Sequence, residues 1–465
     1  MLPEFSAVAP MTMPTRQKKT QMIEEKPTYT AAEMFCGCGG FSHGFGTTGR
    51  FKTVFGNDVK DLALKTFARN HSHNGVAPTI LREDIRNVPD SQIVEIIQDK
   101  CGGSLDCLLG GPPCQGFSQM RRTGERMDSN IVKFRGYNKL DQDPRNDLVL
   151  RFLEVAAALN PKIIVIENVP QFLSHYHDGM RGGIAQQVEE VLVEMGYDVH
   201  CDVLNAADYG VPQLRQRAVI LASRLGPVTL PMPTHGDPEF TDNWPGKPWT
   251  TVSDALKDLP ETAPLHEVLG GGGGGYSSEP DNEFLKMMRT SSHFPFNHVT
   301  RTYQGRVIKI IQQMRQGETW DDASLRMTQK YQKMIAKGVA KGAPEKAVKK
   351  KLENEGKINP VFFKRYYWSA YTRLAWNRPA LTITANANFL GSGRFTHPNA
   401  DRGITIREAA RLQSFDDNFE FVTSDNEKKW SENLGIGLDM IGEAVPPLLA
   451  KALAHSIAVH LDEHR

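Results

Sequence analysis

Between Tyr29 and Ser223 the sequence alternates short apolar runs with stretches of helical pattern, and no other feature restricts the possible folds as strongly. The apolar runs are Ala31–Phe35, Thr53–Phe55, Leu105–Leu109, Ile163–Ile166 and Ala218–Ala222. Helical patterns fall between them at Val59–Arg69, Ser91–Asp99, Leu148–Leu159 and Ile184–Met195. Strands separated by helices of this length pair in parallel through βαβ crossovers. The expected fold class is therefore α/β, with a doubly wound and mostly parallel sheet whose ligands meet the carboxyl ends of the strands.

After Pro227 the character changes. Prolines cluster at 227, 231, 233, 238, 245 and 248, and six glycines follow at Gly270–Gly275, a run expected as a surface loop. The segment 329–357 carries nine lysines, from Lys330 to Lys357, and is expected to be helical with a break near Gly342–Pro344. Its charge suits a solvated face or phosphate contact, and the pattern does not choose between them. Thr405–Gln413 and Ala444–His460 are expected as helices returning to a globular unit.

With 465 residues the chain has room for two or three domains of about 150 residues each. Its net charge of +1 gives no overall pull on a polyanion, so any basic surface must be local. No run of about 18 apolar residues suggests a membrane helix, and the first thirty residues lack the pattern of a secretory signal. The expected location is cytoplasmic in a bacterium or nuclear in a eukaryote. The six cysteines form no even framework and are expected as reduced thiols, and Cys36-Gly-Cys38 lacks the further ligands of a zinc site, so no metal is expected.

Several residues carry chemistry at expected strand ends. The first run leads into a glycine turn, Phe35-Cys-Gly37-Cys-Gly39-Gly40, where a backbone can approach a nucleotide-like ligand. Asp58, placed where a carboxylate could accept from ribose hydroxyls, and Asp84 follow at the next two strand ends; a helix cap explains either alone, but their succession suits an adenosine-type cofactor. The run 105–109 enters Gly110-Gly111-Pro112-Pro113-Cys114-Gln115-Gly-Phe-Ser118, a rigid polar turn that suits a nucleophile better than a packing thiol. A basic stretch with Arg121 and Arg122 follows, able to close over a polyanion or to be an ordinary surface loop. The next run ends in Glu167-Asn168-Val169, a carboxylate partly removed from water and suited to holding a proton. Alternation along Gln213-Leu-Arg215-Gln-Arg217 is expected to place these three side chains on one face, where the arginines would favour a thiolate and bind an oxygen.

These blocks together resemble the cytosine-5 DNA methyltransferases. Phe35-x-Gly37-x-Gly39-Gly40, Pro113-Cys114-Gln115, Glu167-Asn168-Val169, Gln213-x-Arg215-x-Arg217 and Gly442-Glu443-Ala444-Val445-Pro446-Pro447 stand in that family's order, across about residues 30–225 and 370–460. The resemblance implies a Rossmann-like catalytic domain at 29–228 and 373–465, with a smaller, irregular target-recognition domain at 229–372 and a tail at 1–28. It implies S-adenosylmethionine as methyl donor, held by Phe35, Gly37, Gly39, Gly40, Asp58, Asp84, Ile85, Gly111, Pro113, Leu148, Glu443 and Ala444. Cys114 would be the nucleophile, Glu167 the partner of the cytosine N3 and amino edge, and Arg217 the donor to O2, with Arg215 bracing the site. Gln115, Ser118, Arg121, Arg122 and Arg301 would contact double-stranded DNA, bound by a monomer. One residue departs from the pattern: Glu443 stands where the family usually has Asn.

Two relatives would share much of this pattern. A tRNA cytosine-5 methyltransferase uses the same chemistry with a more compact recognition region, whereas about 140 residues separate the Arg217 strand from Asn377 here. A non-catalytic DNA-binding relative would not need both Cys114 and Glu167. A nicotinamide-dependent oxidoreductase would explain the glycine turn but not the Pro-Pro-Cys turn.

Overall fold

A computed structural model describes residues 28–72, 75–113, 147–174, 176–177, 180–239, 245–264, 275–289, 294–426, 429 and 433–465. Seven strands form its central sheet: β1 (Tyr29–Met34), β2 (Phe51–Asn57), β3 (Thr79–Leu81), β4 (Cys107–Gly110), β5 (Ile163–Asn168), β6 (Asp198–Asn205) and β7 (Gln216–Ser223). Their spatial order is β3-β2-β1-β4-β5-β7-β6. Pairing is parallel from β3 through β5, while β7 runs antiparallel to both its neighbours. That reversal follows from the short connection between β6 and β7, whose ends pair at Asn205 and Gln216.

The long apolar runs are explained by burial on both sides of the sheet. Ala32, Met34, Leu108, Ile164, Ile166 and Ile220 face a layer of α3 (Asp90–Cys101), α4 (Asp147–Leu159) and α5 (Gly183–Glu194). Their sequence neighbours Ala31, Cys107, Leu109, Ile163, Val165, Val219 and Leu221 face α1 (Gly40–Gly46) and α13 (Pro447–Glu463). A period of two with both faces covered leaves no polar position to break the run.

The second apolar core is shared. Helices α6 (Val252–Leu256), α7 (Glu283–Met288), α8 (Gly305–Ile311), α9 (Trp320–Val339) and α10 (Glu345–Asn354) pack with α11 (Ile406–Leu412) and α12 (Leu434–Glu443). The stripe Trp320, Ala323, Met327, Tyr331 and Ile335 buries one side of α9, and Trp320 stacks on Phe362 with ring centres 5.1 Å apart. The lysine-rich segment forms α9 and α10, as its pattern suggests, with the break at Ala340–Pro344.

Three expectations need correction. Strands β3 and β6 carry no apolar run, because β3 is three residues long and β6 is an edge strand whose side chains are mostly half-exposed or exposed. The helix expected over 444–460 starts three residues later, for Ala444 and Pro446 are extended and Pro447 opens α13 at a position where its missing N–H costs nothing. Contrary to the expectation from apolar runs, the stretch Leu434–Glu463 holds an 18-residue window long and apolar enough by composition to cross a membrane, yet 67% of that window is buried within the protein. Of the glycine run, Gly270–Gly274 lie outside the described residues.

Candidate active site

Strand register brings the chemistry to one edge. Met34 pairs with both Asn57 and Gly110, Asn57 with Leu81, and Gly110 with Ile166. The residues just beyond these pairs are Phe35, Asp58, Arg82–Asp84, Gly111 and Glu167, so all of them emerge from the carboxyl edge of the parallel strands. Because β7 is antiparallel, its amino end lies at the same edge, and Arg217 meets Glu167 there.

Arg217 Nε lies 2.7 Å from Glu167 Oε1, with both side chains largely buried. The contact is an ion pair without an aligned hydrogen bond, so Oε1 keeps unused accepting capacity in a buried place. Burial draws the Arg217 pKa down and Glu167 partly restores it. The guanidinium stays charged at neutral pH. Gly111 stands over the pair, where a β-carbon would lie 3.5 Å from Glu167 Oε2. Asn168 Nδ2 donates to the carbonyl of Pro112 at 3.1 Å, which ties the Pro112–Pro113 turn to the end of β5. Cys114, Gln115, Ser118, Arg121 and Arg122 lie outside the described residues.

Arg215 has a different place from the one alternation suggests. The strand stops after Gln213–Leu214 and resumes at Gln216, and Arg215 between them is buried, with its hydrogen bonds made to backbone carbonyls and not to Glu167. Its guanidinium donates to the carbonyls of Ile383, Gly442 and Ala444 at 2.8–3.0 Å. Gln213 likewise donates to Leu412 O and accepts from Ile383 N. These two side chains join the 380s and the Gly442–Ala444 block to the sheet edge, so Arg215 holds backbone together while Arg217 faces Glu167.

The glycine turn is shaped for close approach. Phe35 adopts a left-handed backbone with φ +54, a strained conformation for a bulky residue that stores about 1–3 kcal/mol at a site of function. A β-carbon on Gly37 would meet nothing within 4 Å, and Gly37 N donates to Asp58 Oδ2 at 2.9 Å, so this part of the turn opens on free space. Gly39 and Gly40 serve packing instead. A β-carbon on Gly39 would strike His71 and Phe67, and one on Gly40 would stand 2.1 Å from the carbonyl of Val445. The first and last blocks of the pattern thus touch.

Ile85 and Leu148 are buried beside this edge. Asp84 caps the turn Ile85–Asn87 through Arg86 N and also pairs with the Arg86 guanidinium. It therefore acts as the helix cap considered from the sequence, with its carboxylate already engaged. Glu443 is exposed and forms an ion pair with Lys60, bridging α12 to the end of β2, while Ala444 is buried and its carbonyl accepts from Arg215. Arg301 is exposed, donates to Asn388 O and lies 4.9 Å over the Tyr303 ring.

Three structural residues escaped the sequence reading. Asn168 was visible only as part of a motif, and Lys60 gave no signal at all. Glu33, at the end of β1, is fully enclosed and accepts from Ser42 N and Oγ. Burial pushes its carboxyl up to about 8 in spite of those hydrogen bonds.

Comparisons with known proteins agree with this geometry. Residues 29–459 match the model of the C-5 cytosine-specific DNA methylase family. The type II methyltransferase M.AgeI of Thalassovita gelatinovora is 30% identical over 488 residues, covering 92% of this chain and 98% of its own. M.DdeI of Desulfomicrobium norvegicum, another type II methyltransferase, is 28% identical over 439 residues, with 92% and 88% covered. Among solved structures, a prophage-encoded E. coli protein described as a DNA modification methyltransferase superposes with a TM-score of 0.62 at 20% identity, covering 94% of this chain and 100% of that one, and shows the shared fold. A site built from Glu167 and Arg217 on the edge of a doubly wound sheet, with a family match over nearly the whole length, makes this chain a member of the C-5 cytosine-specific DNA methylases.

Proposed function

We propose that this protein methylates C5 of a cytosine flipped out of one specific duplex sequence, through a covalent adduct at Cys114, as the modification half of a restriction-modification system. The activity follows from the family, and the roles of individual residues are our reading of the site. One observation carries that reading: the buried Glu167–Arg217 pair beside the Gly111–Pro113 turn that leads directly into Cys114.

The chemistry accounts for each group. Cytosine C5 is a weak nucleophile until a thiolate adds to C6, and the addition pushes negative charge onto N3 and O2. Glu167 is suited to deliver a proton to N3 and to accept from the amino group, the latter with the oxygen that Arg217 does not fully satisfy. Arg217 is suited to donate to O2, in a setting dry enough to strengthen both contacts. Once C5 carries the methyl group, loss of its proton to a base from solvent and breaking of the C6–S bond restore the ring and release Cys114 as the thiolate. A stacked base cannot reach such an enclosed edge, so extrusion from the duplex is required, at a cost of a few kcal/mol.

The carboxyl edge fits S-adenosylmethionine, the methyl donor that the family implies. The open space over Gly37, the Asp58 carboxylate beside it and the apolar wall of Ile85 and Leu148 suit an adenosine with a cationic tail. Phe35, Asp84, Gly111 and Pro113 complete the residues we assign to it. When bound, it supplies an electrophilic methyl group on a sulfonium sulfur. We assign DNA contact to Gln115, Ser118, Arg121, Arg122 and Arg301, in a protein acting as a monomer. Incubation with methyl-labelled cofactor and either duplex DNA or tRNA, followed by base analysis, tests the reading. Label in 5-methylcytosine of duplex DNA at one sequence context is expected, and label in tRNA or on an exocyclic amino group would overturn it.

A further inference from the structure

The last turn of α13 gathers three metal-ligating side chains far from the active site. His460, Glu463 and His464 stand at i, i+3 and i+4, and one ligand atom from each lies within 4.8 Å of the others. Ligands of a bound zinc ion stand about 3.3 Å apart, given bonds of about 2.0–2.1 Å in a tetrahedron. Rotation of the exposed Glu463 and His464 side chains covers the difference.

Two hydrogen bonds prepare the imidazoles. The Nδ1 atom of His464 lies 2.8 Å from the carbonyl of His460. A carbonyl can only accept, so Nδ1 carries the proton and Nε2 presents its lone pair. A carbonyl holding the far N–H in this way orients histidine ligands in metal sites. His460 is buried, and its Nε2 is hydrogen-bonded to Ser223 Oγ at 2.8 Å, which fixes its ring against the end of β7. The two rings stand 4.4 Å apart between centres. The carbonyl end of a helix adds partial negative charge that favours a cation.

We propose that this turn binds one divalent transition-metal ion of borderline softness, Zn2+ or a close analogue, through His460, Glu463 and His464, with solvent completing the coordination. Two nitrogens and one carboxylate favour such an ion over Mg2+ or Ca2+, which prefer all-oxygen sites. Strand register gives the role. Ser223 pairs with Ile163, the first residue of β5, so the site lies at the amino edge of the parallel strands, opposite Glu167. Nearby, Tyr29 at the start of β1 donates to Asp462 at 2.6 Å. An ion there would pin the end of α13 to β7 and support the helix that packs against the Gly44 backbone of α1. It would be a structural clamp with no part in methyl transfer.

Equilibrium dialysis of the full chain against micromolar Zn2+ tests the site, comparing wild type with His464→Ala, a change at an exposed position. One equivalent fewer of bound Zn2+ per chain is expected in the variant. Zn2+, but not Mg2+, is expected to raise the wild-type Tm, with the rise lost in His464→Ala and reduced in Glu463→Gln. Equal zinc stoichiometry in wild type and His464→Ala, or an equal Tm response, would overturn the proposal.

Discussion

The sheet edge and the region between Pro227 and Asn377 are specified in different ways. At the edge, backbone ladders set the positions, and each functional side chain follows within a few residues of a strand end. The other region rests on contacts between distant parts of the chain. Arg411 on α11 is fully buried and holds Asp258 and Asp417, while Tyr276 donates to Asp417 at 2.6 Å. Local spacing encodes the first kind of order, and only the folded structure reveals the second. The edge should therefore respond to substitution mainly in rate, and the second core mainly in stability.

The largest effect on that contrast is expected from Glu167→Gln. Removing the carboxylate charge while keeping its shape should lower kcat by about 10²–10⁴-fold. Methyl transfer under saturating DNA measures it, and a loss of stability accounting for the whole defect would break the contrast. Next comes Arg411→Met, which leaves Asp258 to Arg289 and Asp417 to the 3.6 Å contact with Arg407, and should cost up to about 3–5 kcal/mol of stability. Urea unfolding reads that directly; an unchanged midpoint would show that the ionic core is dispensable.

Smaller per pH unit is the effect of Glu33, whose carboxyl is raised by burial from 4.5 to about 8. The folded state keeps a proton that the unfolded chain has lost, so this contribution is complete below about 4.5 and fades as pH rises through about 8. Its slope is at most about 1.4 kcal/mol per pH unit. Glu33→Gln should flatten the decline in stability between these pH values, as followed by urea midpoints across the range. The smallest change is expected from Glu443→Asn, which breaks a pair with Lys60 that is about half exposed. Stability should move by no more than about 0.5 kcal/mol. Affinity for S-adenosylmethionine, measured by calorimetry, should stay the same or tighten, and clear weakening would make Glu443 an adapted ligand.

Much of the edge was legible because its signals are local. The strands β1, β2, β4, β5 and β7 announce themselves as apolar runs, and Gly37, Asp58, Glu167 and Arg217 stand at their ends. Alternation failed at Arg215 because the strand breaks there, and that break turns the side chain toward Ile383, Gly442 and Ala444. Gly39 and Gly40 were expected to face the cofactor, whereas their missing β-carbons admit His71 and Val445. Such partners are far away in sequence, as are Lys60 and Glu443, and no local pattern relates them. Asp84 has a local partner as well, since Arg86 two residues later pairs with the carboxylate that we assign to the cofactor.

The most direct test of the central claim is intact-mass analysis of the protein mixed with S-adenosylmethionine and duplexes carrying 5-fluorocytosine, in which fluorine at C5 blocks the elimination that would free the enzyme. A covalent adduct is expected, mapping by peptide analysis to Cys114, absent in Cys114→Ser and strongly reduced in Glu167→Gln. Methylation of ordinary duplex DNA by a protein that forms no adduct, or an adduct on any other residue, would contradict it.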